Sequence, residues 1–154
     1  MNKQVVALGP DTTLKEAIQF LTRYHIGGSP VVNDEGKLVG MISELALIDV
    51  VFDETVWNAP VSKYMNAELQ VVKPDEPLMR AAQLFALYAF RRLPVVEDGK
   101  LIGIITRRDL MNYSLQTNQV LGDPLVALIP SLAGINGSQN VAAAPPTEVE
   151  YSLN

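Results

Sequence analysis

Thr106-Arg107-Arg108-Asp109 places a hydroxyl, two guanidinium groups and a carboxylate in four consecutive positions. A second cationic pair, Arg91-Arg92, precedes the apolar run Leu93-Pro94-Val95-Val96, so four of the six arginines fall within 18 residues. Guanidinium groups present forked donors that fit phosphate oxygens. An ionised carboxylate accepts hydrogen bonds from the vicinal hydroxyls of a ribose. A helix beginning at Arg107 would add unpaired amides and a positive dipole end, which also attract phosphate. A ribonucleotide uses every part of this set. The same residues also have a ligand-free reading. Thr106 as N-cap and Asp109 three residues on approximate a capping box, stabilising a helix start by about 0.5–2 kcal/mol, and Arg91-Arg92 suit a solvated helix C-terminus.

The elements that position these groups occur twice. Residues from Pro10 to Leu47 and from Pro74 to Leu110 match at a register of 64, dropping to 63 after one deletion in a turn. Pro30-Val31-Val32 pairs with Pro94-Val95-Val96, and Gly36-Lys37-Leu38-Val39-Gly40 with Gly99-Lys100-Leu101-Ile102-Gly103. A repeat of this length cannot bury its apolar faces alone, so the two copies are expected to fold as one body with a site between them.

Leu14, Ala17, Ile18 and Leu21 form one stripe, and Thr13 with Glu16 has capping-box spacing, which predicts a helix from Thr13 to Tyr24. Its counterpart is expected from about Glu76 to Phe90, with Pro77 in the first helical position. Strands are expected at Pro30 to Asn33, Lys37 to Ser43, Pro94 to Glu97 and Lys100 to Thr106, with Asp98-Gly99 as a hairpin turn. Short strands at Val5 to Leu8 and Leu69 to Val72 lead into the first helices. Second helices should start at Glu44 and Arg107, the former burying Leu45, Ile48, Val51 and Phe52. Each unit therefore reads β-α-β-β-α, an α/β (α+β) fold. The organisation expected is a first repeat with its linker over 1–60, a second repeat over 61–115, and a polar extension over 116–154. Within that extension Leu121 to Leu132 has helical spacing broken by Pro124 and Pro130, and 136–154 has a disordered composition.

Bulk properties narrow the function. The net charge of -5 disfavours nucleic acid polymers and anionic membranes. No apolar run approaches the roughly 20 residues a membrane helix needs, and no leader-like start is evident, so a cytoplasmic protein is expected. There are no cysteines, and His25 is the single histidine, so no metal site is expected. No nucleophile with a base, no acid/base pair and no Walker-type loop is present, hence no catalytic residue is assigned.

The repeats resemble CBS motifs, named after cystathionine beta-synthase, and together a tandem CBS pair or Bateman module. The resemblance is carried by Val5 to Pro10, Ala17, Ile26-Gly27-Gly28-Ser29-Pro30-Val31-Val32, Gly36 to Ser43, Tyr64-Met65, Val71 to Pro74, Arg91 to Val96 and Gly99 to Leu110. It implies two repeats packed about a pseudo-twofold axis, with two related clefts that in the family take AMP, ADP, ATP or S-adenosylmethionine. It also implies homodimerisation and regulation of a partner protein, whose identity the sequence does not give.

Carried over by position, the resemblance assigns Asp109 to the ribose, and Thr106 with Arg108 to the ribose and phosphate. Arg91 and Arg92 would meet phosphate, Ile104 would lie near adenine or ribose, and Val6 with Ile26-Gly27-Gly28 would complete the base pocket. The other cleft should be poorer, because Ser43 and Ala46 stand where the second repeat has Thr106 and Asp109. Four arginines favour a phosphorylated ligand over the sulfonium, and no cofactor is required. The expected function is a regulatory module that binds an adenosine nucleotide. The alternative is a ligand-free structural dimerisation module.

Overall fold

The computed structural model describes residues 5–88, 90–118 and 121–122; the expectations for Leu121 to Leu132, beyond Gly122, and for 136–154 lie outside them. Chain order is α1 (Leu14–Tyr24), β1 (Gly28–Val32), β2 (Leu38–Ser43), α2 (Glu44–Leu47), three 3-10 turns (Asp49–Phe52, Glu54–Val56, Val61–Lys63), α3 (Leu78–Leu87), β3 (Arg92–Glu97), β4 (Lys100–Thr106) and α4 (Arg107–Thr117). The fold is the expected pair of β-α-β-β-α repeats, with each leading strand reduced to one parallel bridge, Leu8 on Val31 and Val72 on Val95.

The α1 start follows the sequence closely. The Thr13 hydroxyl accepts from the Glu16 amide while the Glu16 carboxylate accepts from the Thr13 amide at 2.9 Å, which satisfies two donors that a helix start leaves open. At the other end His25 adopts φ 50°, and its amide donates to Leu21 and Thr22 carbonyls. The lone histidine is thus an exposed helix cap. The second long helix is shorter than expected. Pro77 takes an extended ψ of 143° and its carbonyl accepts from the Arg80 amide at 2.8 Å, so it caps α3 from outside.

Both hairpins begin two residues earlier than the prolines suggest, because Gly28 pairs with Ser43 and Arg92 with Thr106. In each repeat the first strand residue therefore lies opposite the N-cap of the second helix. The hairpin tips also meet across the pseudo-twofold axis: the Leu38 amide donates to Gly99 at 3.1 Å, and the Leu101 amide to Gly36 at 3.2 Å.

Two cores lie under these sheets. The first gathers Leu14, Ala17, Leu21, Val31 and Ile42 with Leu47, Val50 and Val61, and the second Val72, Ala81, Leu84, Phe85, Leu93, Val95 and Ile105. The linker packs on the first core: Trp57 Nε1 donates to the Val50 carbonyl at 3.0 Å, and Asn66 exchanges two 2.9 Å backbone bonds with Met41. One expectation is reversed. Leu45 and Phe52 are 82% and 84% exposed, and Ile48 and Val51 are also open, while Leu47 and Val50 are buried. The helix stops after one turn and tightens into a 3-10 turn. Leu47 and Val50, three residues apart, form the face that the core receives instead.

Candidate functional site

The strand-to-helix junctions of the two repeats are brought together. In the second repeat, Thr106 caps α4: its hydroxyl accepts from the Asp109 amide at 3.2 Å, and Asp109 Oδ2 accepts from both the Thr106 amide and hydroxyl at 2.7 Å. Partial burial pushes the Asp109 carboxyl upward, but its hydrogen bonds, foremost those from Thr106, outweigh this and hold it below the ordinary aspartate range. The carboxylate is therefore ionised at neutral pH.

Arg92 stands opposite Thr106 in the β3–β4 ladder and Ile104 opposite Pro94. The carbonyl of Arg91 accepts from the Arg107 amide at 3.4 Å. Arg91, Arg107 and Arg108 are exposed, whereas Arg92 is half-buried and its Nη1 donates to the Gly28 carbonyl of the first repeat. Burial depresses the Arg92 guanidinium most, Glu44 raises it and Arg91 lowers it further. Arg92 is thus a tie between repeats.

From the first repeat, Val6 is exposed and its carbonyl accepts from the buried Ser29 hydroxyl at 3.3 Å. Ile26 packs against the first core, its amide donating to Leu21 at 3.1 Å. Gly28 has a structural reason to lack a side chain, since a Cβ there would meet the Ile42 carbonyl oxygen at 2.7 Å.

Gly27, Gly28, Arg91 and Arg92 line a cleft of about 720 Å³ between the repeats. The rest of its wall comes from the first-repeat junction, Met41 to Leu45 with Ile48, from Asn66 and Glu68 to Gln70, and from Phe90 with Leu93-Pro94. Thr106, Arg108, Asp109, Ile104, Val6 and Ile26 are not among its lining residues. The expected set therefore divides: Gly27, Gly28, Arg91 and Arg92 line the first-repeat cleft, Thr106, Arg108 and Asp109 form the second-repeat junction with Ile104 in the strand before it, and Val6 and Ile26 lie in the first repeat. Glu44, expected only as a helix start, also lines this cleft, and its register with Arg107 exposes a charge reversal between copies. Among the described residues no group of three or more His, Asp or Glu side chains converges on a metal-sized space. No helix there is long and apolar enough to cross a membrane.

The duplicated β-α-β-β-α units and their facing junctions define a CBS pair, and the CBS domain family model matches residues 1–53 and 61–116. The chain belongs to the CBS domain family. It is 34% identical over 129 residues to the CBS domain-containing protein YhcV of Bacillus subtilis, covering 81% of this chain and 89% of that protein. It is 33% identical to the A-adding tRNA nucleotidyltransferase of Aquifex aeolicus over 72% of this chain but 13% of the enzyme. The chain spans well under two thirds of several such relatives. Among solved structures, CBSX2 in complex with AMP shares 32% identity at a TM-score of 0.69, covering 75% of this chain and 90% of that one. The CBSX2 structure from Arabidopsis thaliana gives 31% and 0.69, over 74% and 88%.

Proposed function

We propose that this chain is a regulatory module that senses an adenosine nucleotide, AMP, ADP or ATP, between its repeats at the Thr106–Asp109 junction. The observation that carries the reading is the ladder pairing of Arg92 with Thr106, whose hydroxyl donates to the ionised Asp109 carboxylate. Asp109 accepts from the ribose, Thr106 and Arg108 flank it, and exposed Arg91 supplies phosphate donors. Arg92, held by Gly28, orders the boundary of the site, with Ile104, Val6, Ile26 and Gly27 on its base side. The AMP complex of CBSX2 supports the ligand class.

Binding regulates only through a difference in affinity between two arrangements of the repeats or of two copies. The exposed apolar residues Leu45, Ile48, Val51 and Phe52 support a homodimer. A cellular nucleotide pool as ligand source makes the cytoplasm the compartment, and the reading assigns no catalysis. Native mass spectrometry and thermal shift against AMP, ADP, ATP and S-adenosylmethionine test it. Stabilisation by the phosphorylated compounds is expected. A flat response to all four favours the second reading, a ligand-free dimerisation platform, which the same apolar face and the already bonded Asp109 Oδ2 support.

A further inference from the structure

The second helix of each repeat leaves the same apolar positions uncovered. Ile48 stands in register with Met111, and Phe52 with Leu115, and all four are exposed. Residues four apart share a helix face, so Arg107, Met111 and Leu115 form one stripe along α4. Its counterpart runs along α2 and the 3-10 turn that follows, where Leu45 and Val51 widen it. Leu45 and Ile48 also edge the cleft, while Val51 and Phe52 are not among its lining residues.

The two faces carry opposite charge. Asp49, Asp53 and Glu54 are exposed on the first, which has no lysine or arginine from Glu44 to Glu54. On α4 the exposed charges are Arg107 and Arg108, the half-buried Asp109 carboxylate being taken up by the helix cap. Among the described residues none of Asp49, Asp53, Glu54, Arg107 and Arg108 takes part in an ion pair. Glu44 is the exception on the first face, since its charge already acts on Arg92 within the chain.

Two copies related by a twofold axis can join these faces in two ways. Like on like sets carboxylates against carboxylates and arginines against arginines. Unlike on unlike lays the first repeat of each copy on the second repeat of the other, and symmetry makes the contact twice. With the two helices antiparallel, Arg107-Arg108 at the start of α4 then meets Asp53-Glu54 at the end of the first face, and Met111 meets Ile48 midway. The apolar residues are equivalent in both repeats and serve either packing. Charge separates the two, setting orientation more than affinity.

We infer that this chain pairs with a second copy head to tail, the α2 face of each protomer covered by the α4 face of the other. The inference rests on the homodimer proposed above and fixes its arrangement; it uses Arg107, to which the nucleotide reading gives no role.

The chain has no cysteine, so introduced thiols report the pairing. Sedimentation velocity of the full chain should give a dimer, as should Ile48→Cys and Met111→Cys, which mark the middle of each stripe. Coexpressed, these two variants should be joined to one another by a short bis-maleimide, whereas either alone should stay largely unlinked. Arg107→Glu, which suits the first turn of a helix, should weaken the dimer at least about tenfold in Kd, or about 1.4 kcal/mol. A dimer in which Ile48→Cys or Met111→Cys links readily to itself, or whose Kd Arg107→Glu leaves unmoved, would overturn the head-to-tail arrangement alone. A monomeric unaltered chain would overturn the homodimer with it, and the nucleotide assignment stands or falls separately, by thermal shift with AMP.

Discussion

Replacing Asp109 with alanine separates the two roles its carboxylate can play. In the ligand-free protein Oδ2 accepts two 2.7 Å bonds from Thr106 at the first turn of α4. Loss of such a cap costs about 0.5–2 kcal/mol, and at this half-buried position about 1 kcal/mol is expected, a fall in Tm of about 4 °C. Losing an ionised acceptor for two ribose hydroxyls is a larger effect. Hydrogen bonds to charged groups contribute about 1.5–3 kcal/mol each, so a net loss of about 2 kcal/mol, or about 30-fold in Kd for AMP, is the conservative expectation. Thr106→Val supplies the control: it removes the capping hydroxyl and leaves the carboxylate, so stability should fall comparably while affinity drops only a few-fold. Scanning calorimetry and titration calorimetry read the two quantities independently. An Asp109→Ala protein with lowered Tm but AMP affinity within about twofold of the original would show that the carboxylate is only a cap.

Gly40→Ala should destabilise by about 1–3 kcal/mol in urea unfolding, because the new Cβ would overlap Met65 Sδ; adding Met65→Ala should recover part of the loss. Trp57→Phe removes the Nε1 bond to Val50 and weakens the Lys15 contact at 5.6 Å, costing about 1–2 kcal/mol by denaturant titration; an unchanged midpoint would mean the linker is not anchored there. Acid stability follows from Asp109, Glu16 and Asp53, whose hydrogen bonds place their folded carboxyls below ordinary values. Because folding depresses these groups, their contribution is complete above the unfolded values near about 4 and disappears as pH falls through the folded ones. Thermal scans should thus be flat to about pH 5 and drop below about 4, and Asp109→Asn should make the drop shallower. Leu45→Glu with Phe52→Glu should yield a folded monomer in sedimentation velocity, whereas an intact dimer would move the interface elsewhere.

The legible parts of the fold were those where local chemistry leaves one solution. Thr13 and Glu16 could cap only a helix starting between them, and Asp98-Gly99 reaches the two positive φ values of its turn, 50° and 80°. The stripe Leu45, Ile48, Val51, Phe52 misled because Leu47 and Val50 intervene. With apolar residues on nearly every side, spacing identifies a helix but cannot select which face the core receives. The candidate residues were legible as types and as register. Their division between the first-repeat cleft and the second-repeat junction was not, because which repeat Arg92 leans toward depends on the Gly28 carbonyl, a main-chain group that no pattern of side chains announces.

The tip-to-tip bonds of the hairpins use only backbone atoms of Gly36, Leu38, Gly99 and Leu101. Such a handshake is indifferent to side-chain identity, provided the turn glycines keep their positive φ of 76° and 80°. The halves can remain clasped at one end while their opposite ends drift apart chemically, an aspartate lost here or an arginine exchanged for a glutamate there. A duplicated scaffold of this kind can acquire two different receptors without having to invent a new joint between them.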